Sequence, residues 1–214
     1  MTITTSAIAL KKLGLIDYKE AWQLQRSFHE EVANGQRPST LILLEHPPVF
    51  TAGRRTEVHE RPVDGSEVID VDRGGKITFH GPGQIVGYPI VQLKNGNDVV
   101  GFVREIESAL IKVCEEFSIT AERYCERSGV WIRDARGDRK IAAIGLRVAR
   151  GVTMHGFALN VCPDLTYFDR IVPCGIADAG VTSFSRELGR EVTTAEVSPV
   201  LEQYIFEALS KVAL

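Results

Sequence analysis

The chain has 214 residues, 44% of them hydrophobic and 25% charged, with a formal net charge of −3. These values exclude a disordered chain, suit one domain over residues 1–214, and offer no global attraction to nucleic acid. Neither a charged and apolar leader nor a run near the roughly 20 apolar residues of a bilayer span is present, so a cytoplasmic protein with no membrane partner is expected.

In chain order, Asp17-Tyr18-Lys19-Glu20 resembles a capping box. Tyr18, Ala21, Trp22, Gln25, Phe28 and Val32 follow at helical spacing until Gly35 can close the helix. Thr40 to Leu44 reads as a short buried strand between Pro38 and Pro47-Pro48, and residues 53–66 read as a loop. Weak strands are expected over Glu67 to Val71 and Lys76 to His80, then a turn at Gly81-Pro82-Gly83-Gln84 and an apolar strand from Ile85 to Leu93. Asn97 is the expected cap of a helix with Val99, Val103, Ile106, Leu110, Val113 and Phe117 on one face. Ser128 to Arg133 and Lys140 to Val148 form an expected hairpin, and Val152 to Val161 another strand. Thr193-Thr194-Ala195-Glu196 opens a last helix, with Val200, Tyr204, Ile205 and Leu209 expected on its buried side. With helices inserted between groups of strands, the class is α+β or mixed α/β.

The four cysteines, at 114, 125, 162 and 174, contain no CxxC pair, and with the five histidines they show no metal-ligand spacing. Cys114 reads as inert core, Cys162 as a strand end and Cys125 as exposed. Cys174, between Pro173 and Gly175 and near Ala177, Ala179 and Gly180, has room for a substrate. A lysine brought beside it would favour the thiolate, and Lys140 is the candidate. Around Arg73-Gly74-Gly75-Lys76, paired glycines leave amide donors open to a ligand, yet the same residues also suit an ordinary hairpin loop. His80 reads equally as a base or ligand and as a histidine satisfied by a carbonyl. His155 falls on the strand face of Phe157 and Leu159 and favours packing; His46 reads as structural, His29 and His59 as solvated.

Five motifs in one order carry a resemblance: Leu44-Glu45-His46-Pro47-Pro48 through Arg54; Arg73-Gly74-Gly75 through Thr78-Phe79-His80-Gly81-Pro82-Gly83-Gln84; Lys140-Ile141-Ala142-Ala143-Ile144-Gly145; His155-Gly156-Phe157-Ala158-Leu159-Asn160; and Pro173-Cys174-Gly175-Ile176. Over nearly its whole length the chain resembles the octanoyltransferases, or lipoyl(octanoyl) transferases. The resemblance implies the fold of the biotin and lipoate ligase catalytic domains, with Cys174 as acyl-thioester nucleophile and Lys140 as the lysine that lowers its pKa. It also implies substrate-binding walls from Arg73, Gly74, Gly75, Lys76, Ile77, Thr78, Phe79 and His80, from Ala143, Ile144 and Gly145, and from Gly156, Phe157 and Ala158. Implied partners are octanoyl acyl carrier protein as donor and, as acceptors, lipoyl domains of 2-oxoacid dehydrogenase complexes and glycine cleavage H protein. No cofactor or metal is implied. Gly145, Gly156 and Ala158 are expected to leave space for the acyl tail, and Arg54, Arg55 and Arg73 to face an acidic carrier protein. The competing readings are an ATP-dependent lipoate or biotin ligase of the same fold, and a non-catalytic binding module.

Overall fold

A computed structural model describes residues 8–96, 98–124, 127–172 and 179–214. Its strands are β1 (Ala9–Leu15), β2 (Thr40–Glu45), β3 (Val49–Ala52), β4 (Val68–Asp70), β5 (Thr78–His80), β6 (Gln84–Ile90), β7 (Glu122–Tyr124), β8 (Arg127–Asp134), β9 (Gly137–Ala149), β10 (Val152–Asn160) and β11 (Gly180–Val181). Its helices are α1 (Tyr18–Ala33), α2 (Val99–Glu116), α3 (Phe184–Leu188) and α4 (Thr194–Val212).

The large sheet runs β1-β2-β6-β10-β9-β8-β7, with β11 paired to β9; a small sheet runs β4-β3-β5. Strands β6 and β10 are buried along their whole length, because helices cover both faces. On one face Leu41, Leu43, Ile85, Phe157 and Leu159 pack with α2 and α4; on the other Ile42, Leu44, Val86, Met154 and Ala158 pack with α1. The alternation along β2 follows from the two-residue period of the pleat. A third apolar cluster, including Phe50, Ile77, Phe79 and Phe168, belongs to the small sheet.

Helix α1 forms where expected, with the Asp17 carboxylate accepting from the backbone N–H groups of Lys19 and Glu20. The cap of α2 is Asp98, whose carboxylate accepts from Gly101; Asn97, the expected cap, lies outside the described residues. Helix α4 buries Val197, Leu201, Ile205, Ala208 and Leu209, so its inner face is rotated from the expected one and Val200 and Tyr204 are only half-buried. Cys114 is buried core, and burial pushes its thiol up to about 12. Cys162 is exposed at the end of β10, while Cys125 and Cys174 lie outside the described residues.

Candidate active site

A cavity of about 230 Å³ lies against β6, β10 and β9. Val86, Tyr88, Gly156, Ala158, Ala143 and Gly145 supply its floor, and Arg73, Gly75, Lys76, Thr78 and His80 another wall; Tyr18, Arg55, Arg127, Ser128 and His155 complete the lining with Lys140, Ile144 and Phe157. Thus most of the expected wall residues meet in one place. Ile77 and Phe79 point into the core of the small sheet, the alternate face of the strand that sends Lys76, Thr78 and His80 to the cavity. Gly74 anchors the bend by donating its N–H to the Leu146 carbonyl of β9 at 2.9 Å.

Arg73 is not a surface arginine. It is 7% exposed, and its guanidinium donates to the carbonyls of Gly74, Lys76 and Thr51 and to the Thr51 hydroxyl, at 2.8–3.0 Å. It therefore holds the glycine bend in shape, whereas Arg54 and Arg55 are exposed. Lys76 pairs with Glu57 at 3.1 Å and with the buried Glu60.

The histidines separate by environment. His80 places Nδ1 2.7 Å from the Gln84 Oε1, so that nitrogen carries the proton, and Gln84 in turn donates to Asn160 Oδ1 at 2.8 Å. Burial, with the nearby His46, lowers His80 to about 3, leaving it neutral at pH 7. His46 is also buried and lowered to about 4; its ring bridges the Ile16 carbonyl and the Tyr88 hydroxyl. His29 is half-buried against the Ala149 carbonyl at 3.1 Å, not free in solvent.

His155 departs from the expected strand face. Its φ of 61° breaks the alternation of β10, so the ring packs beside Trp22 of α1 while Phe157 and Leu159 enter the opposite core. Its Nε2 meets Asp72 Oδ1 at 2.7 Å, and Asp72 also pairs with Arg147. The bond from His155 is the main reason that the Asp72 carboxyl falls to about 2.

The glycines here serve close packing. A Cβ at Gly156 would stand 2.1 Å from the Gly87 carbonyl oxygen, and one at Gly145 2.9 Å from Arg73 Cδ, so a side chain at either would collide with packed atoms. Both glycines border the cavity, and the apolar surface a tail could meet there comes from Val86, Ala143 and Ala158.

Lys140 reaches the cavity through a break in strand regularity. On β9, Ala142 turns to the core under α2 and α4, while Ala143 and Gly145 line the cavity; strict alternation would send Lys140 toward the core with Ala142. Between β8 and β9, however, Val130 pairs with Ala142 and Trp131 with Lys140, leaving Ile141 as a bulge. The extra residue inverts the parity, so that Ile141 and Ala142 both enter the core and Lys140, 6% exposed, lines the cavity. Among the described residues no carboxylate forms an ion pair with it.

The lipoyl protein ligase A/B catalytic domain model matches residues 17–206. An octanoyltransferase of Salinispora tropica is 58% identical over 96% of this chain and 97% of its own; one of Mycobacterium tuberculosis is 56% identical over 97% and 89%. The chain belongs to the octanoyltransferase family. Octanoyltransferases are acyltransferases, and the fold of this one is shared with ligases. A bipartite lipoate protein ligase of Thermoplasma acidophilum superposes with a TM-score of 0.68 at 17% identity, covering 95% of this chain and 84% of that one. A lipoate-protein ligase A bound with ATP gives 0.68 at 14%, over 94% and 85%, and a biotin protein ligase of Aquifex aeolicus 0.56 at 12%, over 95% and 71%. These likenesses establish the mixed α/β fold expected from the motifs. Among the described residues, no helix is long and apolar enough to cross a membrane.

For this octanoyltransferase, the lining residues that sequence reasoning missed are Tyr18, Arg55, Val86, Tyr88, Arg127, Ser128 and His155. Tyr18 and Tyr88 looked like ordinary apolar positions of a helix and a strand. Only their convergence on His46 and His80 marks them as cavity residues.

Proposed function

We propose that the protein transfers an octanoyl group from octanoyl acyl carrier protein to a lysine of lipoyl domains, in 2-oxoacid dehydrogenase complexes and glycine cleavage H protein, as a cytoplasmic step of protein lipoylation. The observation that carries this reading, beside the family, is the position of Lys140 on the cavity and of the chain that follows Cys174. Gly180 and Val181 pair with Arg139 and Lys140. Six positions separate Cys174 from Gly180, a span of at most about 20 Å. The tether supports a meeting of the thiol with Lys140.

In the first half-reaction the Cys174 thiolate attacks the thioester carbonyl, the bond to the phosphopantetheine sulfur breaks, and Lys140 gives that sulfur its proton. In the second the acceptor amine attacks the acyl-enzyme, passes its proton to the now neutral Lys140, and expels the Cys174 thiolate as the amide forms. Protons balance within one cycle. Thioester-to-thioester exchange is nearly even and thioester-to-amide transfer is downhill, so no ATP is consumed. Backbone amides of the Arg73–His80 segment are the proposed oxyanion donors. Burial of the tail against Val86, Ala143 and Ala158 contributes about 0.8 kcal/mol per CH₂.

Incubation with octanoyl carrier protein is expected to add one octanoyl mass at Cys174 in intact-protein and peptide mass spectra, and Cys174→Ser to take up none. Full ATP-dependent ligation of free octanoate by Cys174→Ser would overturn the transferase reading in favour of a ligase. No product with any donor, and no adduct, would leave a binding module.

A further inference from the structure

The bulge at Ile141 sets Lys140 directly opposite Trp131 of β8, on the same face of the sheet. Val130 and Ile132 face the core under α2 and α4, so Trp131 between them turns the other way, and it is almost wholly buried. Lys140 Nζ stands 4.6 Å from the centre of the Trp131 ring. The indole Nε1–H donates to the Arg127 carbonyl at 3.2 Å, and Arg127 and Ser128 line the cavity beside Lys140. Tyr124 packs edge-on against the indole at 5.9 Å, with the guanidinium groups of Arg127 and Arg133 over the tyrosine ring.

A buried ammonium needs compensation for its lost water. Here an aromatic face supplies it, and tryptophan has the strongest such face. A carboxylate in that place would hold Lys140 as a fixed ion pair and compete with a thiolate for it. An indole attracts the ammonium without neutralising it or accepting its proton, which suits a lysine that must face a thiolate, release a proton and recover one.

We infer that Trp131 is the positioning residue of Lys140: its indole face carries the ammonium toward the cavity, and its N–H to the Arg127 carbonyl fixes the wall beside it. The inference rests on the reading of Lys140 and Cys174 as acid–base and nucleophile. Trp131 is not among the residues lining the cavity, and its effect on transfer passes through Lys140. Leucine at 131 fills part of the space without a π face; phenylalanine keeps a weaker face and loses the N–H.

Two measurements test it. The chain has two tryptophans, Trp22 and Trp131, so the Trp22→Phe protein emits from Trp131 alone. Replacing Lys140 by Met in that background is expected to change Trp131 emission, because an ammonium against an excited indole quenches it; unchanged emission overturns the contact. Second, the pH profile of Cys174 alkylation, resolved by peptide mass spectrometry, is compared for wild type, Lys140→Met, Trp131→Leu and Trp131→Phe. Trp131→Leu is expected to move the profile toward higher pH in the direction of Lys140→Met, and Trp131→Phe to restore most of it. The kcat for transfer should fall roughly 3- to 30-fold in Trp131→Leu at unchanged KM for the carrier protein, the range from an exposed to a desolvated cation–π contact. A folded Trp131→Leu protein, by circular dichroism, whose profile matches wild type while that of Lys140→Met is displaced overturns the role of Trp131 and leaves the Lys140–Cys174 pair standing. A Lys140→Met profile identical to wild type removes the pair itself, and the inference with it.

Discussion

Val181 pairs in parallel with Lys140, and the backbone N–H of Thr182 donates to the Lys140 carbonyl at 3.0 Å. On the N-terminal side of residue 173, the backbone N–H of Val172 donates to the Glu60 carbonyl at 3.1 Å. Both anchors belong to the cavity region, since Val181 shares a small hollow with Lys140 and Glu60 pairs with Lys76. Val172 and residues 180–182, on either side of Cys174 in the sequence, are thus fixed beside the cavity by backbone bonds.

If Lys140 favours the Cys174 thiolate, Lys140→Ala should move the alkylation profile of Cys174 toward higher pH and lower transfer by about 100-fold or more, the usual contribution of a positioned acid–base group. Iodoacetamide kinetics between pH 5 and 9 measure the first effect and a lipoyl-domain assay the second. A profile that stays in place would separate the two residues.

Stability should fall in mild acid. His46 and His80 have folded values of about 4 and about 3 against 6.5 for the free side chain, both lowered first by burial. As pH drops below 6.5 the unfolded chain takes up protons that the folded chain refuses, so stability is full above that value and declines toward pH 4 and 3. Each histidine accounts for about 2 kcal/mol at pH 5. Urea titrations at pH 7.5 and 5 should show the loss, and His46→Gln should reduce it.

Gly156→Ala should destabilise by about 1–3 kcal/mol or more, because its methyl group meets the rigid Gly87 carbonyl at 2.1 Å and no flexible side chain can yield. Chemical denaturation reads this directly. An unchanged midpoint would show that β6 and β10 can separate.

Enlarging Ala158 should shorten the preferred acyl chain. Ala158 is buried on the cavity floor, and Ala158→Leu adds three carbons where a tail would lie. Relative kcat/KM for hexanoyl over octanoyl carrier protein should rise roughly tenfold, corresponding to loss of space for about two CH₂ groups. Equal reduction for both donors would place the tail elsewhere.

Much of the site was legible because its residues come in short runs whose chemistry is local. Arg73 through His80 and Ala143-Ile144-Gly145 are such runs, and the cavity collects members of each. What those runs could not convey is which members face inward. Ile77 and Phe79 lie between cavity residues yet serve the core of the small sheet, and Arg73 looked free until its bonds to Thr51 and Lys76 were seen. Strands β1 and β11 were not legible, since each pairs with a strand distant in the chain, β2 and β9, and not through its own composition, and β7 is only 3 residues long.

By itself, the sequence determined the mixed α/β class, the helices α1 and α2 and the membership of the family, and it named Cys174 and Lys140 as candidate nucleophile and base. Those depend on periodicity, on capping and on ordered motifs, all of which are properties of neighbours along the chain. The tertiary structure alone decided that Lys140 reaches the cavity and that Trp131 lies under it. A strand's period of two would send Lys140 into the core, and one bulged residue at Ile141, a feature of register between two strands, reverses it.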